Sequence, residues 1–361
     1  MAQPLKDLYN KDLINSLACE IERVYKKFDS EKFQGKIFSE GWDKKELKER
    51  MRFIALTLSE FLPDDFEKAI SILIPVSEAF VGFEYMFFPD FIELRGLHDF
   101  ELSMKALAHF TEYSSSEFAI RVFIKEYPDK TMAQMESWAG SENKHLRRLA
   151  SEGCRPRLPW AMALPEFKKN PAPVLKIIKK LKDDESEYVR RSAANNLNDI
   201  SKDNPLVVLN LAKKWIGKKK KRDRLLKHAC RSLLKSGNPR ALKIFGLTRA
   251  AHIRVETLKL ADSVTMGDSL SFSFTLKTNG EKLGRVRLEY AVYFKKSTGK
   301  LSRKIFKISE GNWSVREKTI SKILSFKAIS TRRYYAGTHR LAIIVNGKER
   351  LCRDFVLNKD K

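Results

Sequence analysis

The sequence predicts a multidomain fold: an all-α HEAT-like α-solenoid over residues 1–248, then an all-β immunoglobulin-like sandwich over residues 249–361. Three observations carry that prediction. The chain has 361 residues, more than one hydrophobic core usually supports. Its hydrophobic period changes once, from a helical spacing up to about Leu247 to an alternating one from about Ala251. Within the helical part, short segments repeat at intervals suited to stacked helix pairs.

The helical reading rests on apolar residues three and four apart, as in Val174, Ile177, Ile178 and Leu181, and again in Val208, Leu211, Ala212 and Trp215. Three stretches align: His145 to Ala150, Tyr188 to Ala193, and Arg224 to Ala229. Phe118 to Arg121 resembles a fourth. Their first residues are separated by 27, 43 and 36 positions, as expected of a solenoid with insertions in some turns. In that alignment Arg121, Arg148, Arg191 and Lys227 are equivalent, so stacking predicts a row of cations on one surface. The aromatic cluster Phe80, Phe83, Tyr85, Phe87, Phe88 and Phe91 reads as the core of the first repeats.

The sandwich is read from alternation. Ser271 to Leu276 alternates polar with apolar, and Val286, Leu288, Tyr290, Val292 and Phe294 recur at every second position. Asn346-Gly347 separates two further runs, in the manner of a two-residue hairpin turn. Roughly seven such runs with turn signals between them describe a half-buried antiparallel sheet of immunoglobulin type, without the usual disulfide.

Charge then narrows the function. The net charge is +25. Residues 1–110 hold 15 basic and 20 acidic side chains, residues 111–248 hold 30 and 15, and residues 249–361 hold 25 and 10. The basic excess therefore lies in the later repeats and the sandwich, and a polyanion is the first partner to consider. Lys218 to Arg222 reads either as a phosphate grip or as a solvated loop. No signal peptide or membrane-spanning stretch is visible, and four scattered cysteines suit a cytoplasmic protein with reduced thiols.

Phosphate-loop, dinucleotide-loop and HExxH motifs are absent and six histidines are dispersed, so no metal or organic cofactor is expected. Catalysis would fall to carboxylates. Glu152 stands where the aligned repeats carry Asn195 and Arg231, an acid on a polar or basic row. Either it faces a positive target such as a cationic base or a sugar losing its base, or it pairs with Arg148, Arg155 or Arg157. Glu117 closes a Ser114-x-x-Glu117 pattern, a capping box that could still face a ligand. Trp160, in a proline-interrupted segment beside Arg155 and Arg157, is either core or a stacking face. Asn195, Asn196 and Asp199 suit DNA contact and a polar helix end equally well.

Pro4 to Lys11, Ser151 to Trp160 and Tyr188 to Ile200 resemble the C-type branch (AlkC) of the HEAT-like-repeat DNA alkylation repair glycosylases, one branch of which carries an appended immunoglobulin-like domain. The resemblance implies hydrolytic excision of cationic N3-alkylated bases, notably 3-methyladenine and 3-methylcytosine, from double-stranded DNA without a deep base-flipping pocket. It implies Glu117, Glu152 and Trp160 as active-site residues. The DNA-contacting set expected beside them is Arg121, Arg148, Arg155, Arg157, Arg190, Arg191 and Lys227, in a monomer acting in the cytosol. The alternatives are a non-enzymatic nucleic-acid-binding HEAT-repeat protein and a protein-interaction scaffold.

Overall fold

The computed structural model describes residues 4–39, 41–248, 250–329 and 332–359. Its helices are α1 (Lys11–Val24), α2 (Ser30–Ile37), α3 (Leu47–Phe61), α4 (Phe66–Ser77), α5 (Phe87–Arg95), α6 (Phe100–Tyr113), α7 (Ile120–Glu126) and α8 (Pro128–Trp138). They continue with α9 (Lys144–Gly153), α10 (Pro165–Lys169), α11 (Ala172–Leu181), α12 (Glu187–Asp203), α13 (Pro205–Trp215), α14 (Lys220–Ala229), α15 (Arg231–Lys235) and α16 (Pro239–Ile244). The strands are β1 (Ile253–Leu260), β2 (Ser263–Thr265), β3 (Ser269–Thr278), β4 (Gly284–Lys295), β5 (Leu301–Trp313), β6 (Glu317–Ser325), β7 (Gly337–Val345) and β8 (Lys348–Asn358).

Helix therefore gives way to strand between Ile244 and Ile253. The compact units divide differently: one holds Met1–Val208 and Gly217–Ala229, the other Leu209–Ile216 and Cys230–Lys361.

In the first unit each helix packs on neighbours a few places along the chain, α1 on α2 and α4, α4 on α6, α6 on α9, α9 on α12, and α12 on α14. That order is the stacking expected of a solenoid. Helix starts are set locally, with Asn10, Asp29, Asp65, Asp99 and Asn143 each accepting a hydrogen bond from a first-turn amide. The aligned segments at 145, 188 and 224 lie on α9, α12 and α14, which stack in that order. The fourth does not belong to the row. The helix stacked before α9 is α6, while the Phe118 to Arg121 segment enters the short helix α7 and meets only the end of α9, where Arg121 is buried against Gly153.

Phe87, Phe88, Phe91 and Phe110 are fully buried, with Phe88 stacked on Phe110 at 5.6 Å. Phe83 departs from the core reading and is exposed.

In the second unit the sheets are ordered β1-β3-β6 and β2-β8-β7-β4-β5, antiparallel except for the three-residue β2 beside β8. Leu270, Phe272, Phe274 and Leu276 of β3 face Val286, Leu288, Tyr290, Val292 and Phe294 of β4 in one core. The half-buried expectation fails for β4. Its other face is also buried, where Ala291 packs with Ile305, Ala342 and Ile344, and Arg287 pairs with Glu289 at 2.6 Å and Glu310 at 3.2 Å.

Asn346 and Gly347 turn β7 into β8 with φ values of 47° and 77°, the left-handed pair that a two-residue hairpin needs. A Cβ on Gly347 would stand 2.8 Å from Gly237 Cα and 2.8 Å from Leu242 Cδ1. Gly347→Ala is expected to destabilise by about 1–3 kcal/mol, through backbone strain and that clash together. An unchanged melting temperature in calorimetry would show that the turn relaxes freely.

Candidate active site

Glu117 lies in the segment between α6 and α7, ahead of the N-cap at Ala119. The predicted capping box is not formed: Ser114 ends α6, and the Glu117 carboxylate instead accepts from Ser115 Oγ at 2.8 Å. That leaves the acid partly buried on a cleft wall instead of bound to a helix amide. With Phe83, Tyr113, His145, Arg148 and Tyr188 it lines a cleft of about 340 Å³.

Glu152 occupies the last turn of α9, one turn after Arg148, and only 6% of it is exposed. Its Oε1 accepts from Arg155 Nη1 at 2.5 Å and lies 3.9 Å from Arg148 Nη2, while its Oε2 accepts from Ser192 Oγ at 2.6 Å. Arg148 also forms an ion pair with Glu117, and Arg155 donates to Asp199 at 2.8 Å. The five groups form an alternating chain: Glu117, Arg148, Glu152, Arg155, Asp199. Of the two readings of Glu152, the ion pair with Arg148 and Arg155 is the one seen, and the carboxylate lies one guanidinium away from the cleft.

Burial opposes the charge on Arg148, but Glu117 and Glu152 outweigh it and its pKa is raised. Arg155 behaves alike, burial being outweighed by Glu152 and Asp199. These guanidiniums are fixed cations at the centre of the site. Cys154 beside them is pushed up to about 12 by burial, which leaves it a poor nucleophile.

Trp160 is 58% exposed and left-handed, with φ 64°, in the segment between α9 and α10. Its ring meets Phe83 edge-on at 6.2 Å between centroids. Since Phe83 also lines the cleft with Glu117, Trp160 stands at the rim of that cleft and not in the core. Tyr188, 44% exposed, closes the other side, with the Arg148 guanidinium 5.3 Å from its ring.

The expected DNA-contacting set is corrected at two positions, Arg121 of the cation row and Arg155 outside it. Arg121 is 0% exposed; its guanidinium donates to the carbonyls of Gly153 (2.7 Å), Arg155 (2.9 Å) and Met162 (2.6 and 2.8 Å). It braces the segment that carries Trp160 and is closed to phosphate. Burial lowers its pKa to about 10. Arg155 is likewise buried, committed to Glu152 and Asp199.

Arg157 is more open and pairs with Asp203 at 2.6 Å. Arg190 donates to the carbonyls of Asp184 (2.6 Å) and Glu185 (2.8 Å). With Arg191, Lys221, Arg224 and His228 it lines a second cleft, of about 350 Å³, between α12 and α14. Arg191, Lys221 and Arg224 are exposed there, and Lys227 is half-buried on α14. The basic run at 218 is no simple loop: Lys220 begins α14, and Arg222 is buried against Asp183 at 2.7 Å.

Sequence reasoning missed Phe83, Tyr188, Ser192 and Arg224, weighed Lys221 only within the basic run at 218, and left Asp199 undecided. For Ser192 and Asp199 a signal existed, since both lie on the α12 stretch that packs on α9. For Phe83 there was none, its aromatic neighbours being core. Among the described residues no cluster of side chains suits a metal ion, and no helix is long and apolar enough to cross a membrane.

Two family models match the chain, "DNA alkylation repair enzyme" over residues 111–233 and "Uncharacterised protein YhaZ, C-terminal Ig-like domain" over residues 254–359. The first spans the whole acid and arginine chain. YhaZ of Bacillus subtilis (strain 168) is 42% identical over 353 residues, 97% of this chain and 98% of that one. Among solved structures, the Pseudomonas fluorescens alkylpurine DNA glycosylase AlkC, bound to DNA containing an abasic site analog, is 33% identical. It superposes with a TM-score of 0.94 over 99% of this chain and 100% of that one.

Proposed function

The chain belongs to the AlkC-like family of DNA alkylation repair enzymes, glycosylases that hydrolyse the bond between base and sugar, and on that premise we propose that it excises 3-methyladenine and 3-methylcytosine from duplex DNA at the Glu117–Arg148–Glu152 cleft. One observation carries this reading: two carboxylates share a single arginine at an open cleft in a half of the chain that is otherwise strongly basic. Two acids placed together against DNA would weaken binding unless positive charge develops between them and the substrate.

Methylation at N3 makes the base cationic and a good leaving group, so little acid assistance is needed. The sugar becomes electron-poor as the base departs, and negative charge close by lowers that barrier, as in glycoside hydrolysis. Glu117, on the cleft wall, faces the sugar and orients the attacking water. Glu152 sets the field behind it and holds Arg148 in register, and Arg155 and Ser192 fix Glu152 in turn. Neutral bases leave too slowly to be processed, which gives selectivity by chemistry.

A cleft of about 340 Å³, open and walled by Phe83 and Tyr188, with Trp160 against Phe83, suits a sugar and backbone better than an extruded base held on all sides. The base therefore leaves without entering an enclosing pocket. Trp160 lies against the helix at the lesion, and the exposed cations of the α12–α14 cleft take a phosphate run. The protein acts as a monomer in the cytosol, on the nucleoid. The test is to incubate the protein with N-methyl-N-nitrosourea-treated duplex and chromatograph the supernatant. Free 3-methyladenine and 3-methylcytosine are expected; no free base would reject the reading.

Arg191→Ala with Arg224→Ala is expected to weaken duplex binding whatever the sequence, and to reduce the slope of log affinity against log salt by about 1–2 units. An unchanged slope in fluorescence anisotropy titrations would remove the α12–α14 cleft from the DNA path.

A further inference from the structure

Trp160 holds a left-handed backbone that bulky L residues avoid, and its ring lies mostly in solvent, so its own packing does not secure it. Two cations secure its segment. Arg121 binds the Met162 carbonyl from the interior. Lys48 of α3, 112 positions earlier, donates Nζ to the Trp160 carbonyl at 2.6 Å. The same ammonium lies 5.0 Å from the centre of the Phe118 ring, and Phe118 directly follows Glu117. One side chain thus touches the backbone of Trp160 and the neighbour of Glu117.

We infer that Lys48 is a positioning residue, whose ammonium ties the Trp160 carbonyl to the Phe118 ring and so fixes the aromatic rim of the cleft relative to its acid. The inference rests on the proposed role of that cleft, but the contact can be tested apart from activity. The bond runs from an exposed side chain and adds little to global stability, yet it acts on a strained peptide whose alternatives would swing the indole away from Phe83. Lys44, on the wall of the same larger cleft that Lys48, Ala161 and Met162 line, provides a charge control.

The variants are Lys48→Met, which keeps the stem over Phe118 but cannot donate, Lys48→Arg, which keeps donor and charge, and Lys44→Ala. The chain has five tryptophans, so the 5-fluorotryptophan protein gives five 19F resonances, Trp160 being assigned by its loss in Trp160→Phe. Lys48→Met is expected to move the Trp160 resonance alone and to slow single-turnover base release about tenfold, with duplex affinity within about twofold. Lys48→Arg should restore both, and Lys44→Ala should change neither. An unmoved Trp160 resonance in Lys48→Met overturns the inference. So does a moved resonance with unchanged release, or a loss of affinity that Lys44→Ala reproduces. If the wild type releases no base, the glycosylase reading fails, while the resonance still decides whether Lys48 holds Trp160.

Discussion

Glu152→Gln is expected to leave duplex binding intact and to lower the single-turnover rate of base release by about 100- to 1000-fold. Glutamine has the shape of glutamate, so its one oxygen can keep the contact with Arg155 while its amide N–H donates to Ser192 Oγ, which then accepts in place of donating. What is lost is one negative charge beside a site where positive charge develops, and removing one such preorganised electrostatic contact is commonly worth about 3–4 kcal/mol of barrier. Affinity for undamaged duplex should hold or rise, because the site becomes more positive. Glu117→Gln separates the two acids: Glu117 lines the cleft and Glu152 lies behind Arg148, so the Glu117 change should be at least as severe. Release rates equal to wild type in either variant would return that acid to a structural role.

Arg121→Met should be the most destabilising single change in the helical unit. Its guanidinium satisfies three main-chain carbonyls and is wholly buried. Methionine fills most of the volume and leaves those acceptors without their donor, at about 1–3 kcal/mol each if they stay dry. A total of about 3–5 kcal/mol allows for some relaxation, and corresponds to a melting temperature lower by roughly 10 °C in a unit of this size. Calorimetry and denaturant titration check it. A melting temperature within a degree or two of wild type would mean that the segment from Gly153 to Met162 is held by its other contacts, Lys48 among them.

These two residues show how far the sequence could be read. The change of period near 248 was legible because helices and half-buried strands impose different spacings on apolar side chains, and the α9, α12 and α14 repeats were legible because stacking demands equivalent faces. Charge on an aligned position does not report burial, and there the reading failed. Arg121 matched the row by type, but α7 is short and enclosed, and its arginine turned inward to serve carbonyls that α9 leaves at its end. Arg155 turned inward for a different reason, the presence of Glu152 three residues before it and of Asp199 on α12, distant in sequence. The Ser114 pattern looked like a cap because nothing in the sequence says where α6 ends. Asn346-Gly347, in contrast, is a local rule, and it held.

The candidate site was partly legible for the same reason. Glu117 and Trp160 are separated by 43 positions and are linked through Phe83, which touches both the cleft and the indole, and through Lys48. Packing that joins α3, α9 and α12 to two irregular segments leaves no periodic trace in any one of them.

The central claim is that carboxylate charge stands against the sugar from which a cationic base departs. A crystal structure of this protein on duplex carrying an abasic-site analogue tests it most directly. The account predicts the abasic sugar over the cleft, with a Glu117 or Glu152 oxygen within hydrogen-bond reach of it or one water away, and Trp160 beside the gap. A sugar bound elsewhere on the chain, with both acids still enclosed by Arg148, Arg155 and Ser192 and turned from the DNA, would contradict it.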